Sequence, residues 1–188
     1  MNTPDPSHLF WARSAFVSAV LFFGALAVLT ACTVPARLEK IEPLPRNRWI
    51  GLFGGWIALA LCVPHAAVVS PDFLLPFLWP LAVVTPILGF FFVDYPAARA
   101  VGGLLILQGY TLVHYPFDLT LPGFPVLAVT GWLAGIAGIW VSAQPWAMRD
   151  YLRLAARSTL FRLAGTVFWG AAALLGAGAF IATFGGGK

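Results

Sequence analysis

The chain has 188 residues, of which 60% are hydrophobic and only 10% are charged, and its formal net charge is +4. A soluble globular domain carries about 25% charged residues, so this composition predicts a multi-pass membrane protein, with residues 1–188 forming one integral membrane domain. The basic residues lie at the ends of apolar segments, so the positive charge does not indicate nucleic-acid binding. Cys32 and Cys62 form no close-spaced metal or redox motif.

Charged residues divide the chain into six apolar windows, each long enough for a membrane-spanning helix of about 17–25 residues. Continuous apolar runs favour helices over the alternating strands of a barrel. Prolines shorten the fifth window, because proline suits helix starts and stops. The predicted fold is all-α with six transmembrane helices, at about residues 14–33, 49–69, 73–93, 98–115, 125–143 and 160–184.

The first predicted helix ends in Leu29-Thr30-Ala31-Cys32, which looks like the lipobox of a bacterial lipoprotein signal peptide. Cleavage there would leave the basic segments that follow outside the cell, against the positive-inside rule. We therefore interpret 14–33 as a true membrane helix with Cys32 at its cytoplasmic end. Cys62 is then expected in the outer half of the second helix, too distant for a disulfide.

Lysine and arginine are distributed unevenly between the two sides of a six-helix chain. One side holds only Arg13 and Lys188. The segments after predicted helices 1, 3 and 5 hold nine basic residues: Arg37, Lys40, Arg46, Arg48, Arg99, Arg149, Arg153, Arg157 and Arg162. Short basic loops stay in the cytoplasm, so both termini are expected to be extracytoplasmic, in a membrane that we take to be a bacterial inner membrane.

Predicted helices 2–3 and 4–5 resemble each other as tandem hairpins. Residues 54–98 align without a gap on 103–147 with nine identities, among them His65 with His114 and Gly89 with Gly138. Both hairpins have the same orientation, so the axis that relates them should follow the membrane normal, unlike that of inverted repeats. Gly89 and Gly138 are expected to make matching helix contacts.

The third predicted helix contains Pro76, Pro80 and Pro86, each of which removes a backbone hydrogen bond and can bend a helix. Bent helices in membrane proteins can border ligand sites. The alternative is an ordinary span whose freed carbonyls are satisfied by neighbouring groups.

Small residues with the spacing of close helix contacts occur in the last two predicted helices. The pairs are Gly131 with Gly135, and Ala172 with Gly176. Such residues let two backbones approach, either inside the bundle or at a dimer face. Internal packing is the expected use.

The segment 145–162 places Arg149, Arg153 and Arg157 four residues apart, on one face of a helix. This pattern predicts an amphipathic helix on the cytoplasmic surface, or an extension of the last span. Attraction to anionic lipid headgroups follows, at about 1 kcal/mol per basic residue.

No ionisable side chain is expected at mid-depth in a span, where proton carriers and catalytic groups of membrane proteins lie. Gln108 is the one strongly polar side chain there, and no phosphate loop or HExxH motif occurs. We therefore expect no enzymatic activity and no cofactor.

Four polar residues remain at the predicted outer rim: His65, Asp72, His114 and Asp118. The two histidines can ligate a metal or haem, or sense external pH near the ordinary histidine value of about 6.5. They can also be interfacial residues that bond to loop carbonyls or to the aspartates. Two ligands make an incomplete metal site, which favours this last interpretation.

These features favour a non-catalytic accessory or scaffold subunit of a membrane complex. Its partners would be the lipid bilayer and other membrane subunits or a second copy, and no nucleic acid. One alternative is a carrier or binding protein for a small apolar or lipidic solute that enters from outside, beside the proline-rich helix. Another is a redox subunit that holds haem or a metal between His65 and His114.

Overall fold

A computed structural model of the chain describes residues 6–121 and 123–185. Within these ranges the structure is all-helical and contains no strand, so the predicted fold class is confirmed. The α-helices are α1 (Pro6–Cys32), α2 (Leu38–Ile41), α3 (Arg48–Val69), α4 (Leu75–Phe92), α5 (Pro96–Asp118), α6 (Phe124–Ala143), α7 (Trp146–Arg157) and α8 (Thr159–Gly185). Short 3-10 turns lie at Pro35–Arg37, Leu44–Arg46 and Asp72–Leu74.

Five helices in the described part of the chain are long and apolar enough to cross a membrane: α1, α3, α4, α6 and α8. Only 11–28% of the apolar window of each is buried inside the protein, so most of its apolar surface is not covered by the described chain. α5 has 23 residues but is not among these five helices. It carries Arg99 and a 2%-exposed Gln108. A membrane helix that is covered by other helices can carry such polar residues, whereas one that faces lipid cannot. α5 therefore stays a predicted sixth span.

The first helix begins at Pro6 rather than at residue 14, so this predicted boundary is wrong. The reason is Arg13, whose charge interrupts the apolar segment in the sequence but is accommodated within the helix. Its Nε donates to Thr183 Oγ1 at 3.0 Å and its Nη2 to the Thr183 carbonyl at 3.1 Å. The guanidinium also lies 3.8 Å from the centre of the Phe184 ring. The other predicted ends lie within three residues of the ends of the corresponding helices.

The chain forms two compact units, which are described separately. Unit 1 comprises residues 1–37, 108–136 and 154–188, and unit 2 comprises 38–107 and 137–153.

In unit 1, α1 packs along α8 through small and aromatic side chains. Phe16 and Phe23 are fully buried, and Phe23 stacks on Trp169 with ring centres 5.9 Å apart. Ala172 is fully buried too, and a Cβ added to Gly176 would meet Val20 at 3.4 Å. The predicted internal use of these two small residues is therefore confirmed. Polar groups are matched as well, since the Ser18 hydroxyl donates to Gln108 Oε1 at 3.2 Å.

In unit 2, α3 and the proline-containing α4 form a hairpin. Pro86 has no amide hydrogen to donate to the carbonyl four residues earlier, that of Ala82, which disturbs the helical hydrogen bonds there. Trp56 Nε1 donates to the adjacent Val83 carbonyl at 3.0 Å. Gly55 makes room for the proline, because a Cβ there would lie 3.1 Å from Pro86 Cβ. α3 begins where the Asn47 side chain accepts from the Ile50 amide at 3.0 Å, which is an N-cap.

Glycines let α5 and α6 approach closely in each unit. In unit 2, a Cβ added to Gly102 would lie 2.9 Å from the Gly138 carbonyl oxygen. In unit 1, a Cβ added to Gly109 would lie 2.6 Å from the Gly131 carbonyl oxygen. The predicted packing role of Gly131 is therefore confirmed.

The two predicted hairpins share helix ends but not glycine contacts. α3 and α5 end at Val69 and Asp118, 49 residues apart. However, a Cβ at Gly138 would lie 2.7 Å from the Gly102 carbonyl, whereas a Cβ at Gly89 would meet nothing closer than Val93 at 3.9 Å. The expectation of matching contacts is wrong, and the repeat itself stays a prediction. Both cysteines are free, as expected.

This difference predicts unequal effects of alanine at the two glycines. Gly138→Ala forces backbones apart and should lower the free energy of unfolding by about 1–3 kcal/mol. Gly89→Ala adds a better helix former in open space and should be neutral or stabilising by up to about 1 kcal/mol. Thermal unfolding in one detergent measures both, with Gly170→Ala, also in open space, as control. Equal loss of stability in the Gly138 and Gly89 variants would contradict this packing.

Candidate functional site

Two histidines converge on one carboxylate in unit 1. His114 and Asp118 lie one turn apart near the end of α5, and their Nε2 and Oδ2 atoms are 3.2 Å apart. His8, in the first turns of α1, brings its Nε2 to 3.7 Å from the same oxygen. Between 32% and 39% of each side chain is exposed. We call these three residues the histidine–aspartate cluster.

Aromatic rings hold the two imidazoles of the cluster. Tyr110 stacks on His114 with ring centres 4.7 Å apart. The ring centre of the buried Tyr115 lies 5.8 Å from that of His8 and 5.3 Å from that of His114. The cluster therefore joins the beginning of α1 to the end of α5 through polar and aromatic contacts together.

Of the four predicted rim residues, the structure brings His114 and Asp118 together. His65, half-buried in α3, and Asp72, exposed in the turn before α4, belong to unit 2. A pairing of His65 with His114 stays a prediction. His8 is not among the predicted site residues, because the predicted first helix begins only after Arg13. The apolar run Leu9-Phe10-Trp11-Ala12 was the signal that the helix extends further back.

The cluster is a polar link between α1 and α5. Both Nε2 atoms face the Asp118 carboxylate, at 3.7 Å (His8) and 3.2 Å (His114) from its Oδ2 atom. Within residues 6–121 and 123–185, no three or more His, Cys, Asp or Glu residues are grouped to hold a metal ion. A protonated imidazole makes an ion pair with this carboxylate and a neutral one only a hydrogen bond.

Removal of the carboxylate should weaken the link between α1 and α5. Asp118→Asn is expected to lower the free energy of unfolding by about 0.2–1 kcal/mol, the range for partly exposed pairs. Thermal unfolding in one detergent measures this loss, with Asp72→Asn, which lies in an exposed turn, as the control. An Asp118→Asn protein that is as stable as the wild type would show that the contacts of this carboxylate do not stabilise the fold.

A second candidate site is an apolar groove in unit 2. It has a volume of about 380 Å³ and is bounded by α3, α4 and the first turns of α5. Residues without large side chains leave this space, notably Gly55, Ala58 and Gly89, while Pro86 and Phe92 form apolar wall. Of the described residues that line it, only Arg99 is charged.

Arg99 is fixed at the groove by two carbonyl groups. Its Nη1 donates to the Ser142 carbonyl at 3.0 Å and its Nε to the Asp94 carbonyl at 3.4 Å. The residue is exposed. These bonds orient the guanidinium, and the groove thus combines an apolar wall with a positioned cation.

The turn between α4 and α5 beside the groove is held by a strained tyrosine. Tyr95 has a φ of 55°, in the left-handed region that costs a non-glycine residue about 1–2 kcal/mol. Its hydroxyl accepts a hydrogen bond from Arg46, whose guanidinium lies 4.7 Å from the ring centre. These contacts offset the strain and fix the turn between the groove residues Val93 and Pro96.

The basic segment forms a helix, α7, that ends at Arg157 rather than at residue 162. The reason is Ser158, whose hydroxyl accepts from the Phe161 amide at 3.2 Å and thereby caps α8. One face of α7 is buried, at Met148, Leu152, Ala155 and Ala156.

The three arginines predicted to bind lipid headgroups differ in their partners. Arg153 Nε donates to Glu42 Oε1 at 2.9 Å, and Arg149 pairs with Asp150 at 3.3 Å. Arg157, in the last turn, is exposed. Arg153 is therefore neutralised by a carboxylate of the protein itself, and headgroup binding by this row stays a prediction.

Comparison with known protein families, with curated proteins and with solved structures finds no match to this chain. The fold itself defines the class: over residues 6–121 and 123–185 the protein is all-helical, with five helices that fit a membrane location. Its function therefore has to be inferred from the groove and the histidine–aspartate cluster.

Proposed function

We propose that the chain is a non-catalytic integral membrane protein that binds a lipidic molecule in the groove of unit 2. The observation that carries this proposal is the apolar space of about 380 Å³ between α3, α4 and α5. This volume lies within the usual range of ligand sites, about 300–1,000 Å³, and such sites combine apolar walls with few polar groups. In a bilayer, the molecules available to fill a lateral apolar groove are lipids.

The proposal includes six spans, with α5 as the sixth and both termini extracytoplasmic. The uneven distribution of basic residues supports this orientation. The burial of Leu105, Gln108 and Leu112 supports a position of α5 among other helices rather than against lipid.

The groove lies at the ends of the helices that adjoin the basic segments of the chain. Its residues come from the beginning of α3, the end of α4 and the beginning of α5. In the proposed topology these segments lie in the cytoplasmic half of the membrane. We therefore place the ligand in the inner leaflet, whereas the sequence suggested an entry from outside.

A reporter experiment tests this topology. A periplasmic reporter fused after Gly187 should be active, and one fused after Pro43 should be silent, because the segment 37–48 holds four basic residues. The opposite pattern would reverse the orientation and move the groove to the outer leaflet.

Filling the groove tests the binding function. A leucine at Gly89 has space next to Val93 and should occupy the groove without disturbing the helices. In a mild detergent, native mass spectrometry should show lipid on the wild-type monomer and at least about tenfold less on Gly89→Leu, a loss of about 1.4 kcal/mol of binding. Gly170→Leu, also in open space on α8, is the matched control. Equal lipid loads on all three proteins would contradict the proposal.

The same mass measurement decides on the second candidate, a scaffold built from copies of this chain. That candidate is favoured by an exposed face of α8, where large apolar residues recur every seven positions, the spacing of left-handed helix packing. The residues are Leu160, Val167, Leu174 and Ile181. A dimer without bound lipid would support the scaffold, and a monomer with lipid supports the binding protein.

A further inference from the structure

We propose that the ligand of the groove is an anionic phospholipid, whose acyl chain lies on the apolar wall while its phosphate binds Arg99. This inference rests on the proposed function and specifies the class of ligand. It follows from the charge, the geometry and the surroundings of that one arginine.

The charge of Arg99 is available to an anion. Its two hydrogen bonds go to the carbonyl oxygens of Asp94 and Ser142. Asp94 contributes its backbone here, so neither bond neutralises the guanidinium. Arginine has five N–H donors, and two carbonyl bonds leave donors for a further acceptor.

The guanidinium is also pre-organised. Ser142 lies at the end of α6 and Asp94 in the turn before α5, so two elements hold the planar group in place. Little side-chain entropy remains to be lost on binding, which favours affinity. A planar guanidinium can bind two phosphate oxygens at once, and this geometry distinguishes arginine from lysine.

Positive charge prevails around the mouth of the groove. Arg46 lies on the ring of Tyr95, in the same turn as Asp94. Arg48 begins α3, three residues before the groove residue Gly51. Three arginines against the carboxylate of Asp94 give a net positive charge, which matches the negative inner leaflet expected in the proposed topology.

The wall of the groove selects a lipid over a small soluble anion. Apart from Thr85 and Arg99, the described lining residues are apolar or glycine. An acyl chain matches this apolar wall, whereas inorganic phosphate would have to give up its hydration to lie against it. At one end of the groove α3 and α5 are in direct contact, because a Cβ added to Gly51 would lie 2.5 Å from Pro96 Cβ.

The test compares two lipids that differ only in their headgroup. The purified full chain is equilibrated in detergent with equal amounts of phosphatidylglycerol and phosphatidylcholine with identical acyl chains, and bound lipid is measured by native mass spectrometry. The wild type should be enriched in phosphatidylglycerol by about fivefold. Both lipids offer a phosphate to Arg99, but the choline of phosphatidylcholine cancels its charge, and the attraction of an anionic headgroup to one basic residue contributes about 1 kcal/mol, where 1.4 kcal/mol is tenfold.

Arg99→Gln should reduce this enrichment to about twofold, because Arg46 and Arg48 still attract the anionic headgroup, while phosphatidylcholine stays bound. Arg37→Gln, which removes an exposed arginine that does not line the groove, should keep the wild-type enrichment. Arg99→Lys retains the charge without the planar group and should give an intermediate ratio. This variant also keeps the test valid if Arg99→Gln fails to fold.

The outcomes separate the inference from the function on which it rests. Equal binding of the two lipids by the wild type would overturn the role of Arg99 and leave the groove as a lipid site. Unchanged enrichment in Arg99→Gln would overturn it too. Retention of free fatty acid alone would contradict the phospholipid. Binding that Gly89→Leu does not reduce would show that the lipid lies elsewhere, and the proposed function would then fail.

Discussion

Two constraints act on a helical protein whose apolar helices fit a membrane location. Without water, each polar group inside must find its partner within the protein, and apolar surface alone does not hold helices together. Glycine contacts meet the second demand, at Gly109 with Gly131 in unit 1 and at Gly102 with Gly138 in unit 2. Paired polar groups meet the first demand, for example where Arg13 Nε donates to Thr183 Oγ1. Among the described residues, no buried side-chain nitrogen or oxygen lacks a hydrogen-bond partner.

The need for polar partners distinguishes arginines that serve the fold from an arginine whose charge is available to a ligand. Arg13 and Arg153 are held by acceptors of the protein, and the carboxylate of Glu42 neutralises Arg153. Arg99 is held by neutral carbonyls only, beside an apolar groove. This contrast supports a ligand role for Arg99 and a structural one for Arg153, although the sequence pattern alone gave the lipid role to the row that contains Arg153.

Apolar length and charge placement predicted the helical class and most helix ends, because both depend on local sequence. They did not predict contacts between distant segments. Arg13 does not end its helix, because Thr183, 170 residues away in the sequence, accepts its hydrogen bond. His8 was missed for the same reason. Gly89 and Gly138 occupy equivalent sequence positions yet differ in surroundings, and the groove depends on three helices whose packing no periodicity reveals.

A structure of the wild-type protein in a lipid nanodisc that contains phosphatidylglycerol would test the central claim most directly. The account predicts density for an acyl chain along Gly55, Pro86 and Gly89, with a headgroup phosphate within hydrogen-bond distance, about 2.7–3.2 Å, of the Arg99 guanidinium. A groove closed by its own side chains, or a chain in the groove with its headgroup turned away from Arg99, would contradict it.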